Sequence, residues 1–227
     1  MARQPLKEQD PEQSSSRAGL FFLVGFALFL VLIFFLVPLV QRALAARALE
    51  QQREANRYNG FTFEQLHDGG LEYWQTDLTV NGQPYTIQFH YHPRDVETIL
   101  LEEGITDQLI TQRPRALYLS LPPNAPSTLV LAGVEISKIT GDRNGENGIL
   151  RIPTRGVLHE PVESGAPFPV LTCANATSQA VIIFFENGTQ NRVYRDENPN
   201  CIRLEYVSPE DAVRVADRFS YDLLQII

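Results

Sequence analysis

His90 and His92 stand two apart in "QFHYHPRD", and on a β-strand residues two apart point to the same face. Two imidazoles so placed can hold a transition metal, with His67, His159 or Asp95 as the third ligand. A plainer reading exists, because His90 continues the polar face of Thr86 and Gln88, where a solvated histidine belongs. The first reading makes the chain a metal-dependent enzyme; the second leaves it with no metal and no cofactor. "GDRNGENGI" offers Asp142, Asn144 and Glu146 at the first, third and fifth places of a calcium-loop pattern, but Asn147 stands where glycine is wanted and Pro153 where the closing glutamate should be. A Gly/Asn-rich surface loop accounts for it. Walker A, GxGxxG, GxSxG, CxxC and HExxH signatures are all absent.

The chain has two cysteines, Cys173 and Cys201, at either end of "CANATSQAVIIFFENGTQNRVYRDENPNC". The first lies ahead of a three-stranded unit and the second opens its last strand, so a disulfide can join them across neighbouring strands; by chain entropy it would stabilise the fold by about 3.5 kcal/mol. Such a bond persists only in an oxidising compartment. The alternative is a pair of buried free thiols. Two glycosylation sequons lie between them, at Asn175 and Asn187. With eleven asparagines in the chain, roughly one N-x-[ST] match is expected by chance, so two decide little. Asn187 also reads as the first residue of a type I′ turn with Gly188.

These residues need a scaffold and an address. Ala18 to Val40 are 23 consecutive residues without a charged or polar side chain, a helix of about 34 Å, long enough to cross a bilayer. A cleaved signal sequence is the competing reading, with an A-x-A site at Ala43-Leu44-Ala45, but the run exceeds a signal core and its leading tail is not clearly positive. With no ionisable residue and no GxxxG pair, the segment anchors and does nothing else. Residues 1–17 are polar and charged and read as a disordered tail. Residues 41–60 are good helix formers closed by Asn59-Gly60, a helical stalk; Leu44, Ala48, Gln51, Ala55 and Tyr58 form a thin seam through which stalks of an oligomer can meet, though a solvated single stalk is favoured. Three basic residues precede the anchor (Arg3, Lys7, Arg17) and four follow it (Arg42, Arg47, Arg53, Arg57), too even a balance to orient it. A domain behind one N-terminal anchor is the common arrangement of exported proteins, which puts it outside the cell membrane.

Residues 61–227 read as one α+β domain, with a mostly antiparallel or mixed sheet packed by a C-terminal helix. "EYWQTDLTVNGQPYTIQFHYHP" is a hairpin about Asn81-Gly82. Short helical turns follow in "RDVETILLEEGITDQLITQ", a strand in "ALYLSLPP", and a buried helix from Ser127 to Ile139. Three strands span Ala180 to Val207, joined by an Asn187-Gly188 turn and a Pro/Asn-rich turn. The last helix has Ser208 as N-cap, Pro209 at its first position, and Val213, Ala216, Phe219, Ser220 and Leu223 as its buried stripe. The domain carries 12 basic and 22 acidic side chains, a formal 12 − 22 = −10, which repels phosphate backbones and argues against nucleic acid.

The ending, "CIRLEYVSPEDAVRVADRFSYDLLQII", resembles the C-termini of small archaeal membrane-anchored proteins in which a Cys-Ile strand precedes an A-D-R-[FL]-x-Y helix. The resemblance covers the last quarter of the chain; it implies an archaeal source and brings no activity or site residue. Two classes of function follow: an anchored interaction or structural module at the cell envelope, or an anchored metal enzyme built on His90 and His92. A pilin-like subunit is a variant of the first, with a leader-peptidase site at Arg17-Ala18-Gly19, but Val24 stands where bacterial pilins have glutamate.

Overall fold

The computed structural model describes residues 13–141, 148–162 and 168–227. Residues 1–12 of the tail, and Asp142, Asn144 and Glu146 of the calcium-type loop, lie outside the described residues. The chain forms two units, residues 1–55 and 56–227.

The first unit is a single helix, α1 (Gln13–Ala55). It starts five residues before Ala18, because a helix nucleated by the apolar run extends at little cost into neighbouring Gln and Ser. It is the one helix among the described residues long and apolar enough to cross a membrane, and its described apolar side chains, Phe21 and those from Leu23 to Val40, are exposed. A soluble helix would bury such side chains.

The second unit begins where helix was expected to continue. Arg57–Tyr58 is a short strand, β1, which pairs antiparallel with β2 (Phe61–Asp68). Asn59 (φ 45°) and Gly60 (φ 87°) form the turn between them and do not end a helix. Tyr58 therefore leaves the stalk seam, and the helix stops at Ala55. β3 (Leu71–Val80) and β4 (Gln83–Phe89) complete a four-stranded antiparallel sheet in the order β1-β2-β3-β4. The expected hairpin is present, with Val80 opposite Gln83 across Asn81 (φ 52°) and Gly82 (φ 78°). β2, which the sequence reading passed over, brings Phe63 into the core.

After α2 (Pro93–Val96), β5 (Leu100–Leu101) and α3 (Ile105–Gln112) come β6 (Ala116–Leu121), α4 (Ser127–Thr140) and β7 (Thr154–Leu158). Then follow β8 (Ala180–Asn187), β9 (Arg192–Arg195), β10 (Cys201–Tyr206) and α5 (Pro209–Leu223). The second sheet is mixed, ordered β5-β9-β10-β8-β6-β7. β8 and β9 are not partners: β10 lies between them, parallel to β8 and antiparallel to β9. The Asn187-Gly188 hairpin is thus a correction. The segment crosses the end of β10, where Asn187 Nδ2 donates to the carbonyls of Tyr206 (3.3 Å) and Val207 (3.1 Å). The cause is burial. "CIRLEY" is mostly buried and takes the interior place, while "RVYR", with an arginine at each end, lies nearer the sheet edge.

Helix α5 contacts the second sheet at β10 and β9 and the first through Tyr221, whose ring lies 4.1 Å from that of Phe89 and 6.0 Å from that of Phe63. Helix α4 packs on β6 and α5, and its Lys138 reaches the Gln88 carbonyl of β4. The helices therefore form a middle layer between two sheets, which is why α5 buries Ala212, Val215 and Asp217 besides the five stripe residues named above. Ser208 caps it as expected, accepting from the Asp211 amide.

Candidate functional site

β4 ends at Phe89, so His90 and His92 do not continue a strand. His92 is the N-cap of α2: its Nδ1 accepts from the Arg94 amide (3.3 Å), and Asp95 accepts from the His92 amide (3.2 Å). Its buried ring lies 4.7 Å from Trp74 and 5.0 Å from Phe63, and burial holds its pKa below the usual histidine value. His67 is exposed beside Glu72 (3.2 Å), and His159 stacks on Phe184 at 4.9 Å. None of these three, nor Asp95, joins His90.

His90 meets two residues from helices instead. His90, Glu135 of α4 and Asp217 of α5 each offer a ligand atom, all within 4.8 Å of one another. Glu135 is buried; Lys138 donates to its Oε2, and His90 Nδ1 lies 3.4 Å from its Oε1, off the line of a hydrogen bond. Burial alone would raise the Glu135 carboxyl, but His90 and Lys138 outweigh it and hold it below the usual carboxylate range. Asp217 is fully buried. Its Oδ2 accepts from the amides of His90 (3.0 Å) and Tyr91 (2.9 Å), while Oδ1 has no hydrogen-bond partner among the described residues. Burial, with Glu135 next, pushes the Asp217 carboxyl well above the ordinary aspartate value. Tyr221 completes the junction by donating to the Tyr91 carbonyl (2.7 Å).

The arrangement pins the chain after β4 to both middle-layer helices. Within it, Lys138 supplies the counter-charge of Glu135. A divalent metal there would need ligand atoms about 3.3 Å apart for tetrahedral zinc, and would have to displace the Lys138 ammonium. The residues are of the right types for a metal, but the lysine already serves as its counter-charge.

Sequence reasoning missed Glu135 and Asp217. A signal was there: Asp217 follows Val213 by four and precedes Ser220 by three, on the buried stripe of α5, where an acid needs a reason.

Cys173 and Cys201 are joined by a disulfide, Cα to Cα 5.2 Å, in a small apolar cluster with Ile182 and Ala176. Both sequon asparagines are exposed. Asn187 uses its Nδ2 twice, as described, whereas Asn175 accepts at Oδ1 from the Thr172 amide (2.9 Å). No protein-family model, curated protein or solved structure matches this chain.

Proposed function

We propose that the chain is a single-pass membrane protein, held in the lipid bilayer by residues 18–40, whose C-terminal domain lies outside the cell membrane and acts as an interaction or structural module of the envelope. The observation that carries it is the Cys173–Cys201 disulfide in a domain that follows one long apolar helix. The Lys138–Glu135 ion pair beside Asp217 supports a module over an enzyme, since that buried carboxylate already has its counter-charge. Native membranes alkylated before lysis, then digested without reduction, test the reading by mass spectrometry. The Cys173 peptide joined to the Cys201 peptide at high occupancy is expected. Two alkylated, unjoined cysteines would place the domain in a reducing compartment and refute it.

The grouping of His90, Glu135 and Asp217 favours a second reading, an anchored metal-dependent enzyme, with the two carboxylates where the sequence reading had His92. It requires stoichiometric metal in the purified chain, lost on substituting His90. A metal-free chain sinks it.

A further inference from the structure

The domain has a second polar feature, away from the cluster at Asp217. A groove of about 1010 Å³ runs between the β3–β4 turn, the α3–β6 connection, residues 149–153 and the end of α5. Arg113, Arg115 and Arg151 line it, and among the described residues no acidic one does. Residues 61–227 contain 12 basic side chains, 11 of them described once Arg143 is set aside. Five of those 11, Lys138, Arg192, Arg195, Arg203 and Arg218, are paired with carboxylates. Of the remaining six, three meet in this one groove.

The backbone there is unusual as well. Six described non-glycine residues have positive φ, and four line the groove: Asn81 (52°), Arg113 (44°), Arg151 (54°) and Gln225 (57°). Arg113 ends α3 in the left-handed conformation, where glycine is the usual residue. Arg151 is held by its neighbours: the Leu150 amide donates to Ile139 (3.0 Å) and the Ile152 amide to Thr140 (2.7 Å), with Ile149 and Ile152 buried and Arg151 exposed. Its guanidinium donates to Gln83 Oε1 (2.8 Å), which also accepts from the Tyr85 hydroxyl (2.9 Å). That leaves a fixed guanidinium with donors to spare. Two arginines in a backbone state that favours glycine, both on one groove, mark side chains kept for what they present.

We propose that this groove is a binding site for a ligand carrying two or more oxyanion groups, carboxylate or phosphate, gripped by the guanidiniums of Arg113, Arg115 and Arg151. The planar fork of arginine matches both oxyanions bidentately, and the groove is far larger than a single such group. The net charge of −10 does not forbid it, because at physiological salt charges beyond about 8 Å are largely screened and the local arginines decide. The proposal deepens the reading of the domain as an interaction module by naming the chemistry of what it takes.

The test is calorimetric titration of the full chain in zwitterionic nanodiscs with citrate and with pyrophosphate. Wild-type protein is expected to bind at least one, less tightly as salt rises from about 50 to about 300 mM. The preferred probe distinguishes a polycarboxylate from a phosphate source. Arg113→Gln, Arg115→Gln and Arg151→Gln should each weaken binding about tenfold, and the triple variant should abolish it. Arg155→Gln, exposed on β7 and outside the groove, should leave it unchanged. Should the triple variant fail to fold, phenylglyoxal labelling of the wild type reads the same point: ligand protects Arg113, Arg115 and Arg151 and spares no label at Arg155. No binding of either probe, equal binding by the folded triple variant, or equal loss in Arg155→Gln overturns the proposal. Neither the anchor nor the disulfide enters the titration, so a negative result here leaves the compartment reading to its own assay.

Discussion

Replacing Asp217 by asparagine tests the physics of the buried cluster. Asparagine keeps the shape and one carbonyl-type oxygen to accept from the amides of His90 and Tyr91. If Asp217 is neutral in the folded protein, the exchange costs little near pH 5, within about 1 kcal/mol. It then becomes increasingly favourable as pH rises. In the unfolded chain the aspartate ionises near pH 3.9, while burial and Glu135 raise its pKa in the fold. The folded state then binds more protons than the unfolded one. Position 217 therefore lowers wild-type stability by about 1.4 kcal/mol per pH unit from roughly pH 4 up to the folded-state value, and the asparagine variant lacks that contribution. The groups facing Asp217, which are Glu135, Lys138, His90 and Tyr221, remain in both proteins, so the difference between the two curves isolates position 217. Alanine is the contrasting variant: it orphans two buried amides and should be about 2 to 6 kcal/mol less stable than the asparagine variant at every pH. The assay is urea unfolding of the full chain in neutral detergent, followed by Trp74, the single tryptophan, from pH 5 to pH 7. A loss of several kcal/mol in Asp217→Asn at pH 7, or parallel curves for the two proteins, would refute the argument and mean that Asp217 is ionised against Lys138 or a bound cation.

His92 gives the opposite slope. Its pKa is lowered by burial, so the folded protein binds fewer protons and loses stability as pH falls below about 6.5, by up to about 1.4 kcal/mol per unit. Between pH 5 and 6.5 this slope opposes that of Asp217, so His92→Asn, which keeps the cap, should leave stability falling more steeply with rising pH than in wild type in the same urea series; an unchanged profile counts against the lowered His92. Ser208→Ala removes the acceptor for the Asp211 amide at the start of α5 and should cost about 1 kcal/mol, read as a lower urea midpoint at unchanged slope. No change there would mean the capping bond contributes nothing net.

Much was determined by the order of residues alone. The apolar run from Ala18 to Val40 specifies a membrane-length helix, Asn81-Gly82 specifies the hairpin it closes, and Ser208-Pro209 specifies where α5 begins. Each of these is local: a few neighbouring side chains and the backbone angles they permit suffice. The partners of strands are not local. β10 comes between β8 and β9 because its apolar residues compete better for the sheet interior, a comparison between segments that no turn motif contains. The candidate site follows the same division. His90 was legible as a residue that can do chemistry, but its companions lie 45 and 127 positions away on two helices, and only the packing of those helices between two sheets brings Glu135 and Asp217 to it. His92, two residues from it, was sent elsewhere when the strand ended at Phe89 and the next helix needed a cap. Burial, which pushes the Asp217 carboxyl up while His90 and Lys138 hold that of Glu135 down, belongs to the tertiary structure, because it depends on what surrounds a group and not on what precedes it in the chain.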